Sequence, residues 1–356
     1  MCENFTNIAS EKIFYTSKQK VQTISKNEKQ ADTIMGNFFT SLFSSSKGEE
    51  SAEDKVKNES KNFDILKYDG VRAQRINKMA YAIKCYTEAL NIKEDFETMS
   101  FLVAAYTKTN ELEKAIETLD RMIALEPERS DTRLARVNLL FMLDRDAEAA
   151  TECDQVIELD PANPTAYFSR AKARKTTHDL LGTLADLTKA IALKEDFADA
   201  YLQRAEVLLQ MGQAGEALPD AEKAIELAPE EENAYLTRGR IHAALGDTDA
   251  ASADFQRVID LNPFNEEAYL LSGQFMIAQE KYDEAITFLD EAIEVNPHFA
   301  KAYAERGRAK NLKGDKAGAF EDLKKSLELN PDSEEAQRMN GQHSNFDNLY
   351  KGGIYG

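Results

Sequence analysis

Residues 233–239 read N-A-Y-L-T-R-G, and near copies stand at 199–205 (D-A-Y-L-Q-R-A) and 301–307 (K-A-Y-A-E-R-G). The first two lie 34 residues apart and the last lies twice that distance on. A second echo trails at K-A-I-E-L-A-P (223–229), R-V-I-D-L-N-P (257–263), E-A-I-E-V-N-P (291–297) and K-S-L-E-L-N-P (325–331). Pro127, Pro161, Pro229, Pro263, Pro297 and Pro331 fall on one 34-residue lattice. Glu195 holds the proline place on that lattice, and Glu94 does so one residue off it. A fixed period of this length marks a stack of helical or mixed repeats.

Each unit reads as two amphipathic helices. From Ala234 to Ala244 apolar residues recur at steps of three and four, the helical period. Gly246 then stands where the chain must reverse, as do Gly212 and Gly314. Asn110, Asp144 and His178 take that place elsewhere, and these types tolerate a left-handed backbone better than most. The second helix, such as Asp249 to Leu261, ends ahead of Asn262-Pro263, because proline disfavours helix at the residue before it. Small residues recur late in the first helix (Ala171, Ala205, Gly239, Gly273, Gly307). They also open the core stripe of the second (Ala82, Ala115, Ala149, Thr183, Ala217, Ala251, Ala285, Ala319). Small side chains there let two helices approach closely. Pro219 falls inside a second helix, where it removes a hydrogen bond and is expected to kink it.

An aromatic, a small residue four on, another twelve further and a proline twelve after that describe Tyr235, Gly239, Ala251 and Pro263. Tyr269, Gly273, Ala285, Pro297 and Tyr303, Gly307, Ala319, Pro331 fit at every step too. The chain therefore resembles the tetratricopeptide repeat family over about 63–333. Eight units start near Phe63, Phe96, Ser130, Pro164, Ala198, Glu232, Glu266 and Ala300. The first three are degenerate: Arg133 replaces the aromatic in one, and Phe63–Asp95 is spaced one residue off. The resemblance implies an all-α, right-handed α-solenoid of helix-turn-helix units. A unit this short cannot bury its apolar face alone, so stacking supplies the core and the ends need polar caps. Asp332–Asn340 has the polarity of a C-terminal capping helix. The domain reading is an N-terminal arm and linker (1–62), a solenoid (63–333), and a capping helix with tail (334–356).

Composition limits the rest. Among 356 residues the net charge is −19, yet residues 1–62 hold nine basic and nine acidic side chains, so the excess lies in the repeats. An acidic body repels phosphate backbones, which argues against nucleic acid. No run reaches the roughly 18 apolar residues of a membrane helix. Three cysteines cannot form a disulfide framework, and the first 34 residues lack a signal-peptide core; a cytoplasmic protein is the expectation. There is no H-E-x-x-H, C-x-x-C, Gly-rich phosphate loop or G-x-S-x-G, so no catalysis, cofactor or metal is expected. His178, His242, His298 and His343 lie in different units or the tail, and Cys85 and Cys153 read as buried thiols in second helices.

A charge pair varies in concert between units. Arg136, Arg170, Arg204, Arg238 and Arg306 precede the small residue, and an acid follows each by sixteen residues: Glu152, Asp186, Asp220, Asp254 and Asp322. Where the arginine is absent, so is the acid: Leu102 goes with Thr118, and Ser272 with Phe288. The pattern predicts an ion pair within a unit or to its neighbour; a ladder of arginines for an acidic ligand is the other reading.

The resemblance implies that first helices line a concave groove that binds peptides. Carried over unit by unit, one row is Leu134, Phe168, Leu202, Leu236, Leu270 and Ala304. A second is Asn138, Lys172, Glu206, Arg240, Gln274 and Arg308, and a third is Phe141, Lys175, Leu209, Ala243, Ile277 and Asn311. The first row is either core packing or, if exposed, an interaction surface. An apolar groove edged by mixed charge suits an extended apolar peptide or an amphipathic helix of another protein. Family members that clamp a C-terminal carboxylate place lysine in the first row; Leu or Phe stands there in five consecutive units, so that subtype is not expected. Lys172, Arg240 and Arg308 remain available for an acidic ligand.

At the ends, Met35 opens M-G-N-F-F-T-S-L-F and reads as an alternative start. Phe38, Phe39, Leu42 and Phe43 would share a helical face, as a cap on the first unit or a contact for a membrane or partner. Residues 44–62 read as a disordered linker, and 346–356 as an aromatic, glycine-rich docking motif or loose end. The expected role is a non-catalytic protein-binding scaffold or adaptor. A regulatory or substrate-recruiting subunit of an enzyme complex, or a structural protein that self-associates end to end, are the alternatives.

Overall fold

The computed structural model describes residues 52–331, and side chains from Lys55 onward. Among them the secondary structure is sixteen helices and no strand. These are α1 (Ala52–Arg75), α2 (Met79–Ile92), α3 (Phe96–Lys108), α4 (Leu112–Leu125), α5 (Ser130–Met142), α6 (Asp146–Leu159), α7 (Pro164–Thr176) and α8 (Leu180–Leu193). The second half repeats the pattern in α9 (Ala198–Gln210), α10 (Ala214–Leu227), α11 (Glu232–Leu245), α12 (Thr248–Leu261), α13 (Glu266–Ala278), α14 (Tyr282–Val295), α15 (Ala300–Lys313) and α16 (Lys316–Leu329). Each first helix from α3 on begins at the residue the lattice marks.

Each helix packs on the next in sequence, and first helices of successive units also touch, as α9 on α11 and α13 on α15. First helices therefore form the inner side of the stack. The core runs along the seam between helices. Ala82, Ala115, Ala149, Thr183, Ala217, Ala251, Ala285 and Ala319 are all fully buried there. At the partner position the two sides match in size. A Cβ on Gly239 would lie 2.5 Å from the Phe255 ring, and one on Gly273 would lie 2.9 Å from Leu289. Where the first helix carries a larger residue the second carries a smaller one: Val137 and Cys153 hold these two places in the third unit and share a core cluster.

The reversals use the residues expected. Gly212, Gly246 and Gly314 have φ of 76°, 81° and 99°, and Asn110, Asp144 and His178 have φ of 60°, 54° and 60°. Two further positions, Asn77 and Glu280, are also left-handed, at 59° and 60°. Glutamate has neither glycine's freedom nor asparagine's local hydrogen bond, so Glu280 carries a backbone cost on the order of 1 kcal/mol. Glu280→Gly is expected to raise stability by about 0.5–1 kcal/mol, part of the relief being lost to unfolded-state entropy. A higher urea midpoint at unchanged slope would show it; a lower midpoint would mean the turn is not held in that basin.

One local reading changes. The stretch 52–62, expected to belong to a disordered linker, is the first half of α1, and its side chains from Lys55 to Lys61 are exposed. It contains no Gly or Pro, and Glu53/Lys57 and Lys55/Glu59 stand four apart with opposite charge, which supports a helix without any core. Pro219 is the sixth residue of α10, past the first turn, and is exposed. It withdraws the amide that would reach the Gly215 carbonyl, yet α10 runs through it to Leu227 and keeps the 14-residue length of the other second helices. The expected cap at 332–340, the segment near Met35 and the 346–356 tail lie outside the described residues.

Candidate protein-binding face

The five arginines on the seam are structural. Arg170 donates to both Asp186 oxygens at 2.9 and 2.6 Å, Arg204 to Asp220 at 2.6 and 2.7 Å, and Arg238 to Asp254 at 2.9 and 2.7 Å. Arg306 grips Asp322 the same way, and Arg136 donates to Glu152 at 2.8 Å. The carboxylates are buried. Charged hydrogen bonds to them raise the already high pKa of Arg170, Arg204 and Arg238. Two further sets of residues join, and sequence reading missed both. Asp120, Asp154 and Asp290, sixteen residues before Arg136, Arg170 and Arg306, accept from those arginines at 2.8, 2.6 and 2.5 Å. Arg174 and Lys310, four residues after Arg170 and Arg306, reach Asp186 and Asp322 at 2.8 Å. His242 holds the same place, with Nε2 4.0 Å from Asp254. The signal was present in the same lattice. Arg136, Arg170 and Arg306 thus link their own units to the ones before them, and with all five arginines bonded to carboxylates the seam offers no ladder of open guanidiniums.

Among the three units without this pair, the second and the seventh differ. In the seventh, Phe288 packs its ring 5.4 Å from that of Tyr269. In the second, Leu102 is buried and the Thr118 hydroxyl donates to the Lys114 carbonyl of its own helix.

The inner face carries the three rows. Leu134, Phe168, Leu202, Leu270 and Ala304 are half-buried, while Leu236 is 2% exposed and belongs to a core cluster with Phe255 and Tyr269. Leu134 and Leu202 belong to no core cluster, whereas Phe168 stacks 4.8 Å from Phe197. In the third row Phe141, Lys175 and Leu209 are half-buried and Ile277 is interior. The polar row is tied between units. Lys172 stands 4.4 Å over the Phe141 ring, and Lys175 pairs with Glu206 of the next unit at 2.6 Å. Arg240 pairs with Glu267, also one unit on, and Gln274 donates to Glu305 at 2.7 Å. Arg308 lies 3.5 Å from Glu305, and Asn138 is exposed. The cations named for an acidic ligand therefore have partners within the chain. What stays outside the core clusters is the half-buried apolar pair Leu134 and Leu202, rimmed by amides and paired charges.

Among the described residues no group of three or more His, Cys, Asp or Glu side chains is placed to hold a metal ion, and no helix is long and apolar enough to cross a membrane. Cys85 and Cys153 are buried, and burial pushes their thiols up, to about 11 and about 12, so neither supplies a thiolate at neutral pH.

Family models described as tetratricopeptide repeat match residues 104–164 and 202–266, 242–308, and 300–333. Over 67 residues the chain is 40% identical to DnaJ homolog subfamily C member 3 of Mus musculus, covering 19% of this chain and 13% of that protein. Over 85 residues it is 34% identical to the Hsp70-Hsp90 organizing protein of Triticum aestivum, covering 24% and 15%. The chain thus matches only a small part of the length of these relatives. A tetratricopeptide repeat protein of Parabacteroides merdae superposes with a TM-score of 0.56 at 17% identity, over 72% of this chain and 98% of that one. At that identity the likeness speaks for the fold alone.

Proposed function

The chain belongs to the tetratricopeptide repeat family, and on that premise we propose that it is a non-catalytic scaffold that takes an apolar peptide or amphipathic helix of another protein along its inner face, in the cytoplasm. The observation that carries this reading is the half-exposed apolar row on consecutive first helices. Leu134, Phe168 and Leu202 repeat at one unit's spacing, so a bound segment meets the same chemistry at each step. The charges beside it are already paired within the chain, which leaves apolar contact as the main attraction and makes weak salt dependence the expectation.

The test is a quantitative pull-down from lysate of the source cells with the intact chain and a Leu134→Glu/Leu202→Glu variant. These two leucines lie outside the core clusters, so the variant is expected to keep its helical circular dichroism and lose its partners. Leu236→Glu would instead unfold its unit. Partners retained by the folded double variant would remove the inner face from recognition.

A further inference from the structure

A cleft of about 210 Å³ opens between α2, α3 and α4 at the second unit. Its floor is Leu90 and Leu102, its wall includes Tyr106, and its rim includes Thr118, Lys114 and Arg121. None of these stands in an inner-face row, which in this unit falls on Ser100, Ala104 and Thr107. The cleft lies where five other units place their arginine and carboxylate. The seventh unit also lacks that pair, but fills the place with Phe288 against Tyr269. Position 118 corresponds to 288 on the lattice, and threonine there is too short to fill it. So one position along the stack is filled by ions in five units, by a ring in one, and is left open in this one.

The opening joins an apolar floor to a polar rim that also includes Thr87, Asn91 and Glu117. Lys114 is bonded to Glu111 at 2.6 Å and Arg121 to Glu94 at 3.1 Å, so the rim cations already have anions. Leu90 and Leu102, both buried, leave an apolar floor on which one ring can lie. The sequence holds one uncharged, phenylalanine-rich stretch next to this end of the stack, M-G-N-F-F-T-S-L-F-S-S-S at 35–46. It enters α1 at Ala52. From Ala52 to Phe63, which packs beside Ala89 on α2, the helix rises about 17 Å. The nine residues from Phe43 to Ala52 span up to about 30 Å when extended, enough to retrace that distance.

We propose that the segment Phe38–Phe43 of the same chain folds back over the second unit and seats a phenyl ring in this cleft, as Phe288 does from within the seventh. The segment itself lies outside the described residues. Its docking would cover the apolar floor and sequester the arm's own phenylalanines.

The test places p-benzoylphenylalanine at position 43 of the full chain, irradiates, and maps cross-links by mass spectrometry. Intrachain cross-links to peptides within 87–121 are expected. Two variants close the cleft from inside: Leu102→Ser/Thr118→Phe transplants the seventh unit's pair, and Leu102→Arg/Thr118→Asp restores the ion pair. In whichever keeps the parent's circular dichroism, the cross-links to 87–121 should fall to background. Cross-links that persist in a folded, cleft-filled variant would overturn the proposal. So would cross-links confined to the inner-face rows, or none at all. Cross-links between two chains would assign the ring to a second copy and overturn the intrachain docking.

Discussion

Asp186→Ala is expected to destabilise the repeat array by about 3–5 kcal/mol, because it strands two guanidiniums around one buried site. Asp186 is 3% exposed and accepts from Arg170 at 2.9 and 2.6 Å and from Arg174 at 2.8 Å. Arg170 also holds Asp154 of the preceding unit at 2.6 Å, so the loss loosens an interface between units as well as a seam within one. Asp186→Asn tests charge against shape: it keeps the volume and should recover little. Asp220→Ala is the internal comparison. Only Arg204 faces Asp220, since Leu208 stands where Arg174 would, so the cost should be clearly smaller. Asp154→Ala, at a carboxylate half in water, should cost under about 1 kcal/mol. The readouts are urea midpoints and hydrogen exchange of α7–α10. Equal losses at Asp186 and Asp220 would mean that the second cation contributes nothing.

Phe255→Ala is expected to cost a similar 3–5 kcal/mol, by cavity formation in the core of the sixth unit. The ring is 2% exposed, rests on the bare backbone of Gly239 and meets Phe275 edge-on at 6.4 Å. Gly239→Ala should cost about 1–3 kcal/mol from the opposite cause, since its methyl carbon would fall 2.5 Å from the ring. Combining Gly239→Ala with Phe255→Leu should restore much of that loss, because Ala171 opposite Leu187 is the same arrangement in the fourth unit. A coupling energy near zero in this double-mutant cycle would show that the two positions do not set each other's size. In a repeat array such effects stay largely within a unit and its neighbours, so exchange should rise in α11–α13 before α3–α6.

Both predictions rest on features legible in one sequence. The arginine and its acid change together from unit to unit, and that alone predicted their contact. The second cation at Arg174 and Lys310, and the preceding unit's acids at Asp120, Asp154 and Asp290, carry the same periodic signal but were not drawn from it. Low apolar content points to disorder over 44–62, yet the charged stretch 52–62, free of Gly and Pro, extends a helix that is anchored from Phe63 on.

The helix-turn-helix unit, its period, its turns and its seam follow from the order of residues alone. Those depend on neighbours within one repeat, and eight copies restate them. Which side chains meet water is settled by packing. Leu202 and Leu236 are the same residue at the same place in adjoining units, yet one is half-exposed and the other is 2% exposed. The next unit brings a tyrosine to both places, Tyr235 and Tyr269; what differs is the second helix of each leucine's own unit, where Phe255 shares a core cluster with Leu236 and Ala221 holds the same place for Leu202. Burial is a property of what packs around each position, and that varies between units that share one lattice.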